Sequence, residues 1–274
     1  MIMALYPKRV FKVPVYAERV SPDVFAGKTR DEILELKVWE GNKQKRLDEV
    51  FNVAEEPEGS AEDAIVIRLV GDLRKVRMVG YGMSSGAIRA EGDVGMRLGE
   101  GMKGGEIVVR GSVGSWAGCE MKGGRIEVSG SAGDYVGASN RGATEGMTGG
   151  TIRVRGDVGN EVGCFMKGGT IRVEGGAGEF AGVHMRDGTI VIKGDCGGRP
   201  GAEMLDGRIV ISGHLPSVLP TFSIDAVRPD VKVDEERIAG PFYRFVGDAV
   251  DDGKGKLFVS KDKNPHLAFH EKFL

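Results

Sequence analysis

Three cysteines and four histidines are the residues of this 274-residue chain best suited to nucleophilic or metal-ligating chemistry. Cys119, Cys164 and Cys196 form no CxxC pair and no other close spacing, so the sequence has no signature for an iron-sulfur cluster or zinc ribbon of its own. Their odd number, behind an N-terminal MIMALYPKRV without a signal-peptide core, predicts free thiols rather than a disulfide framework. His266 and His270 stand at i and i+4, which on an α-helix puts two imidazoles on one face. No Glu completes an HExxH pattern and no third ligand is suggested, so terminal-helix packing or surface exposure is the expected role. Gly99 to Gly104 (GEGMKG) matches the dinucleotide pattern GxGxxG letter by letter. That pattern works by opening a helix whose amides hold pyrophosphate, and the EIVVRG that follows reads as a strand, so no nucleotide site is expected. The expectation is a chain without catalytic, cofactor-binding or metal-binding residues of its own.

The elements that must carry these residues are set by glycine. The 45 glycines are about 16% of the chain, roughly twice ordinary usage. Thirty-seven of them lie between Gly80 and Gly213, and none of the ten prolines falls between Glu58 and Arg199. A segment rich in Gly and free of Pro keeps its backbone donors available for a continuous ladder. Its period is 19. Isoleucine recurs at Ile88, Ile107, Ile126, Ile152, Ile171, Ile190 and Ile209, each step 19 residues except one of 26. A branched or small apolar residue follows two positions later and a glycine four positions later; Gly99, Gly118, Gly137, Gly163, Gly182 and Gly201 hold another column, and Met83 to Met204 a further one. Each unit is therefore a short alternating strand closed by turns.

One such unit cannot bury its apolar face alone, so neighbours must stack. Coils spaced about 4.8 Å apart would give seven units a height of roughly 34 Å, with Ile, Val and Met forming internal ladders. The predicted fold is all-β: a right-handed parallel β-helix, its hand taken from precedent, over residues 80–213. Residues 1–79 form an irregular N-terminal cap and 214–274 a C-terminal cap ending in a short helix from about Asn264. Within the first cap, Thr29 and Glu32 suggest a capping box, Gly41 and Asn42 a turn, and Ala64 to Val70 a strand serving as an irregular first coil.

Outward columns mix signs, with Arg89, Glu127, Arg153 and Arg172 in one and Glu91, Arg110, Arg155, Glu174 and Lys193 in another, which predicts mutual pairing rather than a phosphate track. The first column also holds Val108, Val191 and Val210, expected as an exposed row that hints at a protein interface. Cys119 and Cys164 share a column two coils apart, too far for a disulfide, and read as packing thiols. His184 reads as solvated or locally bonded at a coil corner. Seven extra residues between Gly137 and Met147, in ASNRGATEG, must leave the stack as a loop, and such loops often lie on a binding face. Asn140, Arg141 and Glu145 are its candidate interface residues. A net charge of -2, with no long basic run, argues against nucleic-acid binding, and no apolar run reaches membrane-spanning length; a cytoplasmic chain is expected.

The repeat, clearest in GCEMKGGRIEVSGSAGDYVG (Gly118 to Gly137), resembles the glycine-rich repeat shared by the C-terminal domain of large glutamate synthase chains and by the C-type subunit of formylmethanofuran dehydrogenase. The flanks are similar to the archaeal family of that C-type subunit: PDVFAGKTRDEI (Pro22 to Ile33), GSVGSWAGCEMKGG (Gly111 to Gly124), GDYVGASNRG (Gly133 to Gly142) and PFYRFVGD (Pro241 to Asp248), including the position of the insertion. The likeness covers about residues 20 to 250. It implies a hetero-oligomeric complex in which a tungsten- or molybdenum-pterin subunit interconverts CO2 and formate. A zinc amidohydrolase-like subunit joins formate to the methanofuran amine, and iron-sulfur subunits carry electrons. This chain would bridge those partners as a non-catalytic scaffold, with the cofactors all on the partners. A bacterial formyltransferase/hydrolase complex uses the same subunit type and is the alternative, with a glutamate-synthase-like enzyme behind it. A free-standing β-helical polysaccharide enzyme would need acids clustered on one sheet, and a calcium roll would need Asp at fixed places in nine-residue repeats; Asp93, Asp157 and Asp195 alone recur.

Overall fold

The computed structural model describes residues 2–56 and 65–274. The chain is mostly β with few helices, and one large sheet dominates. The N-terminal section comprises β1 (Ile2–Pro7), β2 (Val15–Tyr16), helices α1 (Pro22–Phe25) and α2 (Arg30–Leu34), β3 (Lys37–Glu40), β4 (Lys43–Arg46), α3 (Leu47–Val50) and β5 (Phe51–Glu56). The expected capping box is formed: Glu32 donates its N–H to Thr29 Oγ1 while its carboxylate accepts from the Thr29 N–H. Gly41 and Asn42 make the two-residue turn between β3 and β4. Of the expected strand Ala64 to Val70, Ala64 lies outside the described residues; the strand itself is β6 (Val66–Leu69), followed by β7 (Val76–Arg77).

The repeat supplies β8 (Ala87–Ala90), β9 (Glu106–Val109), β10 (Arg125–Val128), β11 (Thr151–Val154), β12 (Lys167–Val173), β13 (Asp187–Ile192) and β14 (Arg208–Ile211). Each pairs in parallel with the next, in a register that aligns Ile67, Ile88, Ile107, Ile126, Ile152, Ile171, Ile190 and Ile209. A second parallel ladder of single bridges runs Leu73, Val94, Val113, Ala132, Val158, Ala177, Cys196. The methionines of the recurring column from Met83 to Met204 are fully buried, and their carbonyls accept from further along the stack, as Met102 does from the Lys122 N–H. Alternation explains the strands. The β-branched residues at every second position face inward, each worth about 2 kcal/mol of burial, while charged residues face out.

After the repeat come β15 (Ser223–Val233), β16 (Glu236–Gly247), a 3-10 turn (Ala249–Asp251), β17 (Gly255–Ser260) and a 3-10 helix (Pro265–Phe273). The end of the stack is closed by β17, which pairs in parallel with β14 and sets Leu257 beside Ile209. Asn264, fully buried, finishes the last coil: its Oδ1 accepts from the Leu215 N–H at 2.8 Å and its Nδ2 donates to the carbonyls of Gly213 and Ser260. The terminal helix falls where expected but is 3-10, with about three residues per turn, so positions i and i+4 no longer share a face. His266 Nε2 lies 3.0 Å from the Leu215 carbonyl, while His270 packs edge-on against Phe245.

Several of the outward charges pair as expected: Arg110 with Glu91 at 2.9 Å, and Arg153 and Lys193 both with Glu174 at 2.8 and 2.7 Å. The exposed valine row requires correction. Val191 and Val210 are fully buried under Val231, Val233 and Phe242 of the β15–β16 hairpin, which folds back over the outward face of the sheet; only Val108 stays half-exposed. Their covering comes from a segment far along the chain, which periodicity within the repeat does not register.

Candidate functional site

The most organised surface lies along one corner of the coils. At this corner three alternate residues take left-handed backbone, as at Trp116 (φ 62°), Gly118 (φ 64°) and Glu120 (φ 54°), except beside the insertion, where only Tyr135 and Gly137 do. The middle one faces the core, and a Cβ on Gly118 would sit 2.4 Å from Ile152 Cδ1, so a side chain there would have to displace the tip of Ile152 as well as bear the left-handed φ. The outer two flank it and, except for Gly82 and Gly101, carry large side chains in spite of a cost of about 1–2 kcal/mol each for the left-handed backbone. Read up the stack, the first outer column is Arg97, Trp116, Tyr135, Glu161, Phe180 and Arg199.

These side chains are ordered against one another. Arg97 lies over the Trp116 ring at 5.5 Å, Trp116 and Tyr135 stack at 4.4 Å with planes 12° apart, and the Tyr135 hydroxyl donates to Glu161 at 3.2 Å. Arg199 covers the Phe180 ring at 5.3 Å. In the second outer column Phe165 and His184 stack at 4.4 Å, and His184 Nδ1 lies 3.3 Å from Glu203 Oε2. His184 is thus locally bonded as expected, stacked on Phe165 and beside the Glu203 carboxylate, at the rim of a cavity of about 240 Å³ that also touches Arg186 and Asp251. Between the columns Ala138, Cys164 and Val183 form an apolar floor.

The insertion lies on this corner instead of projecting from it. Asn140 donates its N–H and Nδ2–H to Glu120 Oε1 at 3.1 and 2.9 Å and a second Nδ2–H to Glu100 Oε1 at 3.1 Å; its own Oδ1 accepts from Arg97 at 2.6 Å. Arg97 also pairs with buried Glu100 at 2.8 Å. One amide therefore ties the insertion to two preceding coils. Arg141 is exposed and lies over Trp116 at 5.7 Å; exposed Glu145 pairs with Lys167 at 2.5 Å, which holds its carboxyl below the usual range. Under the insertion Trp116, Tyr135, Arg141, Glu161, Cys164 and Phe165 line a cavity of about 170 Å³. Glu100 Oε2 and Trp116 Nε1 are buried with no hydrogen-bond partner among the described residues, at a cost of about 1–3 kcal/mol each.

The three cysteines are buried and free. Burial, with Glu161 adding to it, pushes the Cys164 thiol up to about 12, and burial alone pushes Cys196 to about 12. Burial and the carboxylates of Glu100 and Glu120 also raise Cys119. The recurring aspartates act within the stack: Asp93, Asp157 and Asp195 accept the N–H of Ser112, Gly176 and His214 in the following coil. Gly99 to Gly104 forms a coil corner leading into β9, not the start of a helix. Periodicity did not single out the two side-chain columns, although bulky residues two places before each glycine of the corner column were a readable signal.

Fold and surface together define a mostly-β protein dominated by one large sheet, whose most ordered feature is a corner carrying two side-chain ladders and a docked insertion. No protein-family model matches the chain. It is 57% identical over 264 residues to the C-type subunit of the tungsten-containing formylmethanofuran dehydrogenase 2 of Methanothermobacter thermautotrophicus, covering 96% of this chain and 97% of that one. The C-type subunit of the molybdenum-containing formylmethanofuran dehydrogenase 1 of the same organism is 42% identical over 99 residues, 36% of this chain and 24% of its own length. The match thus spans about a quarter of that longer relative. Among solved structures, a chain of the formyltransferase/hydrolase complex of Methylorubrum extorquens, crystallised with methylofuran, superposes with a TM-score of 0.80 at 31% identity, covering 94% of this chain and 99% of that one. The chain belongs to the family of formylmethanofuran dehydrogenase C-type subunits. Among the described residues no helix is long and apolar enough to cross a membrane.

Proposed function

We propose that this chain is the non-catalytic scaffold subunit of a cytoplasmic formylmethanofuran dehydrogenase complex, built as a right-handed parallel β-helix over residues 80–213 between caps at 1–79 and 214–274. The observation that carries the reading is the 57% identity over 96% of the chain to the C-type subunit of a tungsten enzyme. In this reading a metal-pterin partner reduces CO2 to formate and a zinc amidohydrolase-like partner joins formate to the methanofuran amine. Iron-sulfur partners supply the electrons. The donor chemistry of this chain does not fit a zinc ion or an iron-sulfur cluster. Its thiols are buried, held protonated and placed on separate coils, and no group of three His, Cys, Asp or Glu among the described residues is placed to hold a metal. Its contribution is rigidity: a ladder hydrogen-bonded coil to coil presents fixed surfaces, with Asn140, Arg141, Glu145 and Val108 as interface residues.

The superposition on a formyltransferase/hydrolase chain supports a second reading, in which the same subunit type serves a complex without the metal-pterin centre. Affinity purification of this chain from its source, with mass spectrometry and metal analysis of what accompanies it, separates the two. Tungsten or molybdenum with a pterin-binding partner is expected. Formyltransferase partners without either metal would favour the second reading, and a lone monomer would overturn both.

A further inference from the structure

The outward face of the sheet is covered at one end and open at the other. On the covered half Val191, Val210 and Phe258 stand on the adjacent rungs β13, β14 and β17, packed by Val231, Val233 and Phe242 of the hairpin. One rung before Val191, Arg172 fixes the hairpin tip: it donates to Glu236 at 2.7 Å, to Asp234 at 3.1 Å and to the Val233 carbonyl at 3.1 Å. The chain thereby displays what this face binds. The ligand is an extended segment with branched aliphatics at alternate positions, ending in carboxylates that meet an arginine of the outward column.

The same column runs on to the open half as Arg153, Glu127, Val108, Arg89 and Arg68. Arg153, Glu127 and Arg68 are engaged by Glu174, Arg125 and Glu56. Val108 and Arg89 are left. Val108 is half-buried, Arg89 is exposed without an ion-pair partner among the described residues, and both line a cavity of about 250 Å³. Arg89 stands one rung before Val108, as Arg172 stands one rung before Val191. The covered site and the open one therefore share the same pair of groups in the same order along the stack. The chain's own hairpin does not reach the second: its tip is held at Arg172, and Val108 lies three rungs beyond, about 14 Å at the usual strand spacing.

We infer that Val108 and Arg89 form a second site of this kind, filled by an extended or hairpin segment of a neighbouring protein subunit that sets an aliphatic side chain over Val108 and a carboxylate against Arg89. This rests on the reading of the chain as a subunit. In the intact complex, p-benzoylphenylalanine replacing Val108 should cross-link on irradiation to a partner segment in which Asp or Glu lies close to Val, Ile or Leu. Arg89→Glu should lower that yield about tenfold, as reversal of one charge-assisted contact does, whereas Arg155→Glu on the neighbouring outward column should leave it unchanged. Cross-linking to a second copy of this chain, to a segment without carboxylates, or at full yield in Arg89→Glu would overturn the inference. So would an intact complex with no cross-link at 108, while recovery of the wild-type chain without partners defeats the subunit reading itself.

Discussion

The indole of Trp116 and the phenol of Tyr135 stack at 4.4 Å with their planes 12° apart, although both residues hold left-handed backbone and belong to successive coils. Each pays conformational strain, and the stack returns about 0.5–1.5 kcal/mol beyond the area it buries. Arg97 and Arg141 both lie over the same indole, one from the preceding coil and one from the insertion. The rings thus join the regular stack to its one irregular segment.

A methyl on the middle glycine of the corner meets the core, and one on an outer glycine does not. Gly118→Ala places a methyl 2.4 Å from Ile152 Cδ1, whereas Gly101, at φ 64°, has nothing within 4 Å. We expect Gly118→Ala to destabilise by about 2–5 kcal/mol, combining backbone strain with overpacking, and Gly101→Ala by about 1 kcal/mol. Urea midpoints at fixed temperature compare them. Equal losses would mean that the core beside Ile152 relaxes freely.

Asn140 is the clasp of the insertion. Asn140→Ala removes three side-chain hydrogen bonds and leaves Glu100 buried with Arg97 alone, so a loss of about 1–3 kcal/mol is expected. Trypsin should then cut after Arg141 faster than in the parent chain. Glu145→Ala, breaking only an exposed pair with Lys167, should change stability by less than about 1 kcal/mol and leave the cleavage rate nearly unaltered.

The buried thiols give a pH dependence whose sign is fixed. Cys164 and Cys196 are raised to about 12 in the folded chain, so below the ordinary thiol range folded and unfolded states carry the same proton and stability does not vary on their account. Between that range and about 12 the unfolded thiols ionise first, and the thermal midpoint should fall as pH rises. At pH 8 a disulfide reagent should label none of the three cysteines within minutes in native buffer and all three in guanidinium. Rapid native labelling of Cys164 would show that the insertion opens readily.

Much of this was legible because a 19-residue period repeats its own physics. The isoleucine column predicted the ladder from Ile88 to Ile209, since stacked identical coils place identical residues in register. Thr29 with Glu32, and Gly41 with Asn42, were local signals and needed no tertiary partner. The candidate interface was less legible. Val191 and Val210 carry the same pattern as Val108, yet the hairpin buries two of the three.

By itself the sequence determined the repeating strands, their parallel register and the place where the period breaks, because each depends on residues within one unit or its neighbour. Tertiary structure decided the rest. Whether the insertion projects or docks depended on Asn140 meeting Glu100, Glu120 and Arg97 from two other coils. Which outward valines stay exposed depended on β15 and β16, which leave no trace in the repeat they cover. Such contacts join segments of unrelated pattern, and only the folded chain brings their shapes and charges together.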